Sequence, residues 1–398
     1  MFVSKEQIDA ILEREKEGLV ALSTYIQQNP ELGGEEYISS KALCDYLEEK
    51  GFTVQRGVGP FDTAFIANKK KGEGGPHIAF CAEYDALPDV GHACGHHLIG
   101  VASVAAGLAL AQLEADEPFE VSVIGTHDEE GVGGKIDLIN EGAFKGVDVA
   151  MMFHPGYSTI IDVKSLAFHS YDFIFHGKNA HAASEPWEGK NALDGVIQLF
   201  NGVSALRQHI KPDVRIHGII KEGGKATNII PHRAVAEFCV RSIDNDYLEE
   251  ICAQVLDIAK GAALMSGTEV EINEIGHPYA AMVSNQTLVG LYQESLDEFD
   301  YVDLSKHHEG MGSIDMGNVS LNVPSIHPVL SLTDQLVPGH TKEFADMCNT
   351  PLAYDTMLLA GKTMAHTCWK VIQSKELQQK IKEEFMKSMM GDRTRIPN

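Results

Sequence analysis

Apolar residues recur every three or four positions through SKEQIDAILEREKEGLVALSTYIQQNP, the spacing of an amphipathic helix. The same period returns in SSKALCDYLEEKG, where Gly51 follows Lys50 as a helix C-terminus requires. The segments TVQRGV, TAFIANKK and HIAFCAEYD then read as strands, the last an apolar run ending in acidic residues. A buried, small-residue helix is expected at about 97–114, followed by the buried strand FEVSVIGTHDEE, a helix near 134–142 and the apolar strand VDVAMMFHPG. Strands alternating with helices predict a mostly parallel sheet covered on both faces, and such sheets carry chemistry at the carboxyl ends of their strands. Glu83, Asp85, Glu129, Glu130 and His154 all fall at such ends.

From about residue 167 the pattern changes. AFHSYDFIFHG alternates as a strand, NALDGVIQLFNGVSALRQHI is a long helix, and VRIHGIIKEGG and AVAEFCVRSI are strands. DYLEEICAQVLDIAKGAALMSG and TEVEINEIG add a helix and a strand, completing a β-α-β-β-α-β unit of ferredoxin-like order. After Pro278 the chain returns to helix and loop, ending in helices that start near Leu352 and Lys375. The organisation expected is an α/β domain of residues 1–166 and 281–398, interrupted by an α+β insert at 167–280.

The length of 398 residues suits two such domains, with 44% hydrophobic and 22% charged residues in an ordinary globular balance. A net charge of −25 repels phosphate, so nucleic acid and anionic membranes are not expected partners. No apolar run is long enough to span a bilayer, and the charged amphipathic start lacks the apolar core of a signal peptide. Seven cysteines without framework spacing fit a reducing cytoplasm, the expected location.

Candidate chemistry begins at GHACGHHLIG, which sets His92, Cys94, His96 and His97 within six positions. Imidazole, thiolate and carboxylate are the ligands divalent metals such as zinc prefer. On an extended strand end Cys94 and His96, two apart, point to one side. Taken alone, Cys94 reads as a small buried hydrophobe, and His154 in FHPG as a core histidine with its hydrogen bonds made. Glu129-Glu130 taken alone reads as a solvated pair. At the end of a buried strand, adjacent carboxylates face opposite ways, so one can ligate a cation while the other takes a proton from water. His340, in GHTKEF, is the fourth piece, and the four together point to a metal site.

The ordered motifs AEYDALPDVGHACGHH, HDEEGVGGK, FHPG, NAHAASEPWEGKNAL, ATNIIP with Arg241, and GHTKEF cover essentially the whole chain. Through them the sequence resembles the co-catalytic metallopeptidases that include aminoacylase, carboxypeptidase G and the p-aminobenzoyl-glutamate and auxin-conjugate amidohydrolases. The resemblance implies a zinc-peptidase-like α/β/α catalytic domain with an inserted ferredoxin-like lid that also dimerises. It implies two divalent ions per subunit, Zn²⁺ or Mn²⁺, held by Cys94, His96, Glu130, His154 and His340, with Glu129 as general base. Asp85 resembles the acidic residue that orients a ligand imidazole. His181 resembles the lid histidine that reaches the neighbouring subunit's site, and Asn228 and Arg241 the residues that hold the substrate carboxylate. The Cys-Gly-His branch usually continues with Asp or Asn; here His97 follows, which leaves a metal contact by His97 open, while His92 reads as structural.

The chemistry implied is hydrolysis of an amide in a small peptide or N-acyl amino acid by a homodimer formed through the lid, with a tetramer left open. A bound divalent ion lowers the pKa of its water from 15.7 to about 7. Glu129 would take the proton and return it to the leaving nitrogen, and His181 would help stabilise the oxyanion. Arg241 offers a planar, permanently charged fork for a carboxylate. The alternatives are a thiol enzyme built on Cys94, a structural zinc protein, and a non-catalytic binding protein on the same fold. The EE and FHPG motifs weigh against the first. A carboxylate to spare beside the ligands weighs against the second, and an intact Glu129 against the third.

Overall fold

The computed structural model describes residues 5–307 and 310–391. The chain forms two compact units, Met1–Lys164 with Met282–Asn398, and Ser165–Ala281. The first opens with helices α1 (Lys5–Gln28) and α2 (Tyr37–Glu49) and strands β1 (Thr53–Val58), β2 (Phe61–Lys71) and β3 (His77–Glu83). It continues through α3 (His96–Gln112), β4 (Phe119–Thr126), α4 (Gly134–Asn140), β5 (Val149–Met151) and β6 (His154–Gly156). The second unit is β7 (Ala167–His176), α5 (Ala192–Leu206), β8 (Arg215–Glu222), β9 (Arg233–Ser242), α6 (Asn245–Ser266) and β10 (Glu269–Glu274). The chain then returns through α7 (Gln286–Glu298), α8 (Met316–Ser320), β11 (Ser325–Ile326), β12 (Val329–Ser331), α9 (Lys342–Met347), α10 (Pro351–Gln373) and α11 (Lys375–Gly391).

The main sheet of the first unit has the order β1-β2-β4-β3-β5-β11. It is mostly parallel with one reversed strand: β4, β3, β5 and β11 run parallel, while β2 pairs antiparallel with both β1 and β4. The reason is local. Only Gly59 and Pro60 join β1 to β2, too few residues for a parallel crossover. The parallel half is the half whose strand ends carry the polar residues.

Helix α3 is buried from His96 to Leu110, so it presents no polar face. Its small residues allow that position. A Cβ at Gly100 would lie 2.6 Å from the Glu83 carbonyl oxygen, and one at Gly361 of α10 would lie 2.8 Å from the Ala105 methyl. The Ser103 hydroxyl, meanwhile, donates to the Cys81 carbonyl at 2.6 Å. The helix is thereby clamped between β3 and α10, and its N-terminus is fixed at the strand ends. On the outside, α1 buries Ile8, Ile11, Leu12, Leu19, Leu22 and Ile26, the row its period predicts.

The second unit is an antiparallel sheet of order β10-β7-β9-β8, the strand order of a ferredoxin-like fold. Phe173, Phe175 and Phe238 of the sheet share its core with Leu199 of α5 and Val255 of α6. The Asp244 carboxylate caps α6 by accepting the Tyr247 N–H at 3.0 Å, and Gly267, at φ 66°, ends it. Among the described residues, no helix is long and apolar enough to cross a membrane.

Candidate metal centre

The loop after β3 carries the first donors. Gly95 has φ 76° and turns the chain from Cys94 into α3, whose first residue is His96. An extended strand end was the expectation, but the left-handed turn at Gly95 is what brings the two side chains together. A Cβ there would lie 2.6 Å from Pro155 and 3.0 Å from the Cys348 sulfur, so the position also demands glycine for space. His96 Nδ1 is 2.8 Å from Asp85 Oδ1 and 3.0 Å from the Asp85 carbonyl, which leaves Nε2 facing the centre. Burial opposes a charge on this ring, but the Asp85 carboxylate outweighs it and holds the imidazole pKa well above its usual range.

Glu129 and Glu130 lie in a turn, not on a strand, because β4 stops at Thr126. Asp128 has φ 49°, and its carbonyl accepts the N–H groups of Gly133 and Gly134 at 3.0 and 3.2 Å. Its own N–H donates to Glu36 Oε1 at 2.7 Å, and the same oxygen takes the Gly34 N–H at 2.9 Å. Glu36 is fully buried, so a carboxylate from the loop after α1 pins the turn that presents the pair. Sequence reasoning missed it, since ELGGEE reads as a surface turn. Burial, then the carboxylates of Glu83, Asp315 and Glu130, push the Glu129 pKa well above the ordinary range.

Donor atoms of Cys94, His96 and His154 lie within 4.8 Å of one another, as do those of Cys94, Glu130 and His340, and those of His96, Glu129 and Glu130. The structure thus gathers the five expected ligands and Glu129 at one place. His154 Nδ1 donates to the Pro155 carbonyl at 2.7 Å, so its Nε2 keeps a lone pair. His340, at φ 62°, is anchored by its N–H on the Ala93 carbonyl at 3.0 Å, and its Nε2 stands 3.5 Å from Glu130 Oε1. That oxygen is buried without a hydrogen-bond partner among the described residues, and burial pushes the Cys94 thiol pKa well up. A cation would satisfy both, and thiol, imidazole and carboxylate donors together fit a divalent transition metal.

His97 is not in these groups. Its Nε2 faces the Cys348 carbonyl at 3.1 Å, and its ring meets His92 edge-on at 5.1 Å. Both are buried. Four further residues, none assigned a role from sequence, back the centre. Lys135 is fully buried, with Nζ ion-paired to Glu83 and, at 2.7 Å, to Asp315. His327 stacks on His154 at 5.6 Å, and burial pushes its pKa down to about 3.

In the second unit the expected residues divide. His181 is exposed, and its Nδ1 accepts the N–H groups of Ala183 and Ser184, each at 3.2 Å, which places its proton on Nε2. Asn228 lies beside it, its carbonyl accepting the Ala182 N–H at 3.0 Å. Arg241 lies near the end of β9, with its guanidinium 5.0 Å over the Phe168 ring.

A sheet whose following loops present thiol, imidazole and paired carboxylates, in a chain with a ferredoxin-like insert, has the architecture of a metal-dependent hydrolase. The comparisons agree. Residues 165–264 match the peptidase dimerisation domain family. The chain is 37% identical to the mouse Xaa-Arg dipeptidase over 96% of its own length and 90% of that protein's. It is 28% identical to one of the subunits of the Escherichia coli p-aminobenzoyl-glutamate hydrolase, covering 95% and 94%. A Bacillus subtilis dinuclear metal-binding peptidase of the M20 family shares the fold at TM-score 0.69 and 19% identity, over 90% of this chain and 99% of that one. The chain belongs to the M20 peptidase family and is a metal-dependent hydrolase of amide bonds.

Proposed function

We propose that the protein is a dipeptidase that takes dipeptides with a basic C-terminal residue. The observation carrying this reading is near full-length similarity to a Xaa-Arg dipeptidase in a chain that retains a complete donor set with a carboxylate to spare. The net charge of −25 favours approach of a cationic substrate over an anionic one. Two ions, Zn²⁺ or Mn²⁺, would be held by Cys94, His96, Glu130, His154 and His340. When bound, they supply Lewis acidity toward the scissile carbonyl and make water nucleophilic at neutral pH.

The rest is the work of the chain. Glu129 accepts the proton of the attacking water and delivers it to the departing amine, a role that a raised carboxyl pKa suits. Asp85 fixes His96 through Nδ1, and Glu36 fixes the turn bearing Glu129. Residues 165–281 form the dimerising lid. From the partner subunit, the lid brings the His181 Nε2–H toward the developing oxyanion, with Asn228 beside it. Arg241 offers a fork for the substrate carboxylate. The test is a panel of dipeptides ending in Arg, Lys, Leu or Glu, with N-acyl amino acids and p-aminobenzoyl-glutamate, assayed on Zn²⁺- or Mn²⁺-loaded protein. The highest kcat/KM should fall on a dipeptide ending in Arg or Lys. A preference for p-aminobenzoyl-glutamate or an N-acyl amino acid would overturn the substrate assignment.

A further inference from the structure

Behind the metal centre, carboxylate oxygens of Glu83, Glu129 and Asp315 lie within 4.8 Å of one another, close enough to share a cation. Glu83 and Asp315 are buried in the first unit's interior, where like charges at such separation cannot persist uncompensated. The compensation is a side chain. Lys135 is fully buried at the start of α4, and its ammonium pairs with Glu83 and, at 2.7 Å, with Asp315. Its backbone N–H also donates to Asp315 Oδ2 at 3.0 Å, so the position of the cation is fixed from two directions. Glu83 faces the other way as well, with Oε2 3.6 Å from His96 Nε2.

We propose that Lys135 is a resident cation: its ammonium fills the cage of Glu83, Asp315 and Glu129, holds Glu129 at the edge of the metal centre, and denies the cage to a further divalent ion. Lys135 is thus a positioning residue, acting on the reaction through Glu129. The inference rests on the metal-site reading above.

The test compares full-length wild type, Lys135→Met, and the charge-matched pair Lys135→Met with Asp315→Asn. Mn²⁺ per subunit is measured by elemental analysis after equilibration, together with kcat and KM. Lys135→Met should bind one Mn²⁺ more than wild type and lose about 100-fold in kcat with little change in KM, the scale of a misplaced reacting group. Adding Asp315→Asn should restore the wild-type metal count but leave kcat low, because Glu129 still lacks the ammonium that holds it. A folded Lys135→Met protein with the wild-type metal count would overturn the proposal. Where the single variant does not fold, the charge-matched pair carries the test. It should be soluble with the wild-type count, and a pair that is insoluble or that binds an extra Mn²⁺ counts equally against the idea. A wild type that binds no Mn²⁺ or Zn²⁺ would instead remove the metal-site reading itself.

Discussion

Asp85 Oδ1 lies 2.8 Å from His96 Nδ1, while Asp85 Oδ2 accepts the Glu130 N–H at 3.0 Å. One carboxylate thus orients two expected ligands, using a separate oxygen for each. An amide has only one acceptor, so Asp85→Asn must turn its NH₂ toward one of the two donors. The expected result is a folded protein whose affinity for Zn²⁺ or Mn²⁺ falls about 10–100-fold, the usual cost of removing such a partner. Competition with a chromogenic chelator measures it. An unchanged affinity would leave Asp85 without an orienting role.

If the paired glutamates divide their labour as proposed, their variants should fail in different ways. Glu129→Gln should keep fold and metal but lose about 10²–10⁴-fold in kcat, because an amide cannot accept the proton. Glu130→Gln should lose metal first. Elemental analysis and steady-state kinetics on both variants decide the matter, and the reverse pattern would exchange the two roles.

Removing the metal should abolish turnover without unfolding the chain, since the apolar cores of the two units contain none of the donors. Zn²⁺ or Mn²⁺ added to the chelated protein should restore activity. Full activity in protein proved metal-free by elemental analysis would refute the mechanism.

The pH dependence of stability has a component remote from the centre. His366 on α10 is buried against the Phe299 ring, and burial lowers its pKa despite Glu298 at 3.4 Å. The folded protein therefore binds this proton less readily than the unfolded chain. The stability it contributes is complete above the unfolded value of about 6.5 and is lost as pH falls from there through the folded pKa. Urea unfolding of wild type and His366→Gln between pH 7.5 and 5 should show a shallower loss in the variant. Parallel curves would show that His366 plays no part.

Much of this was legible in the sequence because it is local. The small apolar residues of α3, and period and turn residues in α1 and the ferredoxin-like insert, determine the elements, and Cys94, His96, Glu129 and Glu130 sit in short motifs. What was not legible depends on distant pairing. Lys135 meets Glu83 and Asp315, 52 and 180 positions away, and neither GGK nor GSIDMGNVS carries a pattern that announces a buried ion. Glu36 likewise reaches Asp128 across 92 residues. The reversal of β2 follows from the two-residue link between β1 and β2, which an alternation of strands and helices does not reveal. The convergence of Cys94 and His96 needed a left-handed Gly95, which an assumption of extended chain does not contain.

The proximity of His181 and Asn228 sharpens the test of a shared site. A two-fold dimer gives each site residues from both chains. If the lid serves the partner, co-expressing inactive Glu129→Gln subunits with inactive His181→Ala subunits makes mixed dimers in which one site has both groups intact. Random pairing makes half the dimers mixed, so about a quarter of all sites should recover. Because Asn228 lies beside His181, Glu129→Gln with Asn228→Ala should recover to the same extent. His181→Ala with Asn228→Ala should not recover, since each site then receives a lid lacking one of the two. Recovery is read as kcat per site in dimers purified through two different affinity tags, where every dimer is mixed and about half of the sites should recover. If His181 acted within its own chain, every site in the first mixture would keep one defect and activity would stay at the background of the parents. That outcome would remove the shared site while leaving the roles of Glu129 and the metal ligands intact.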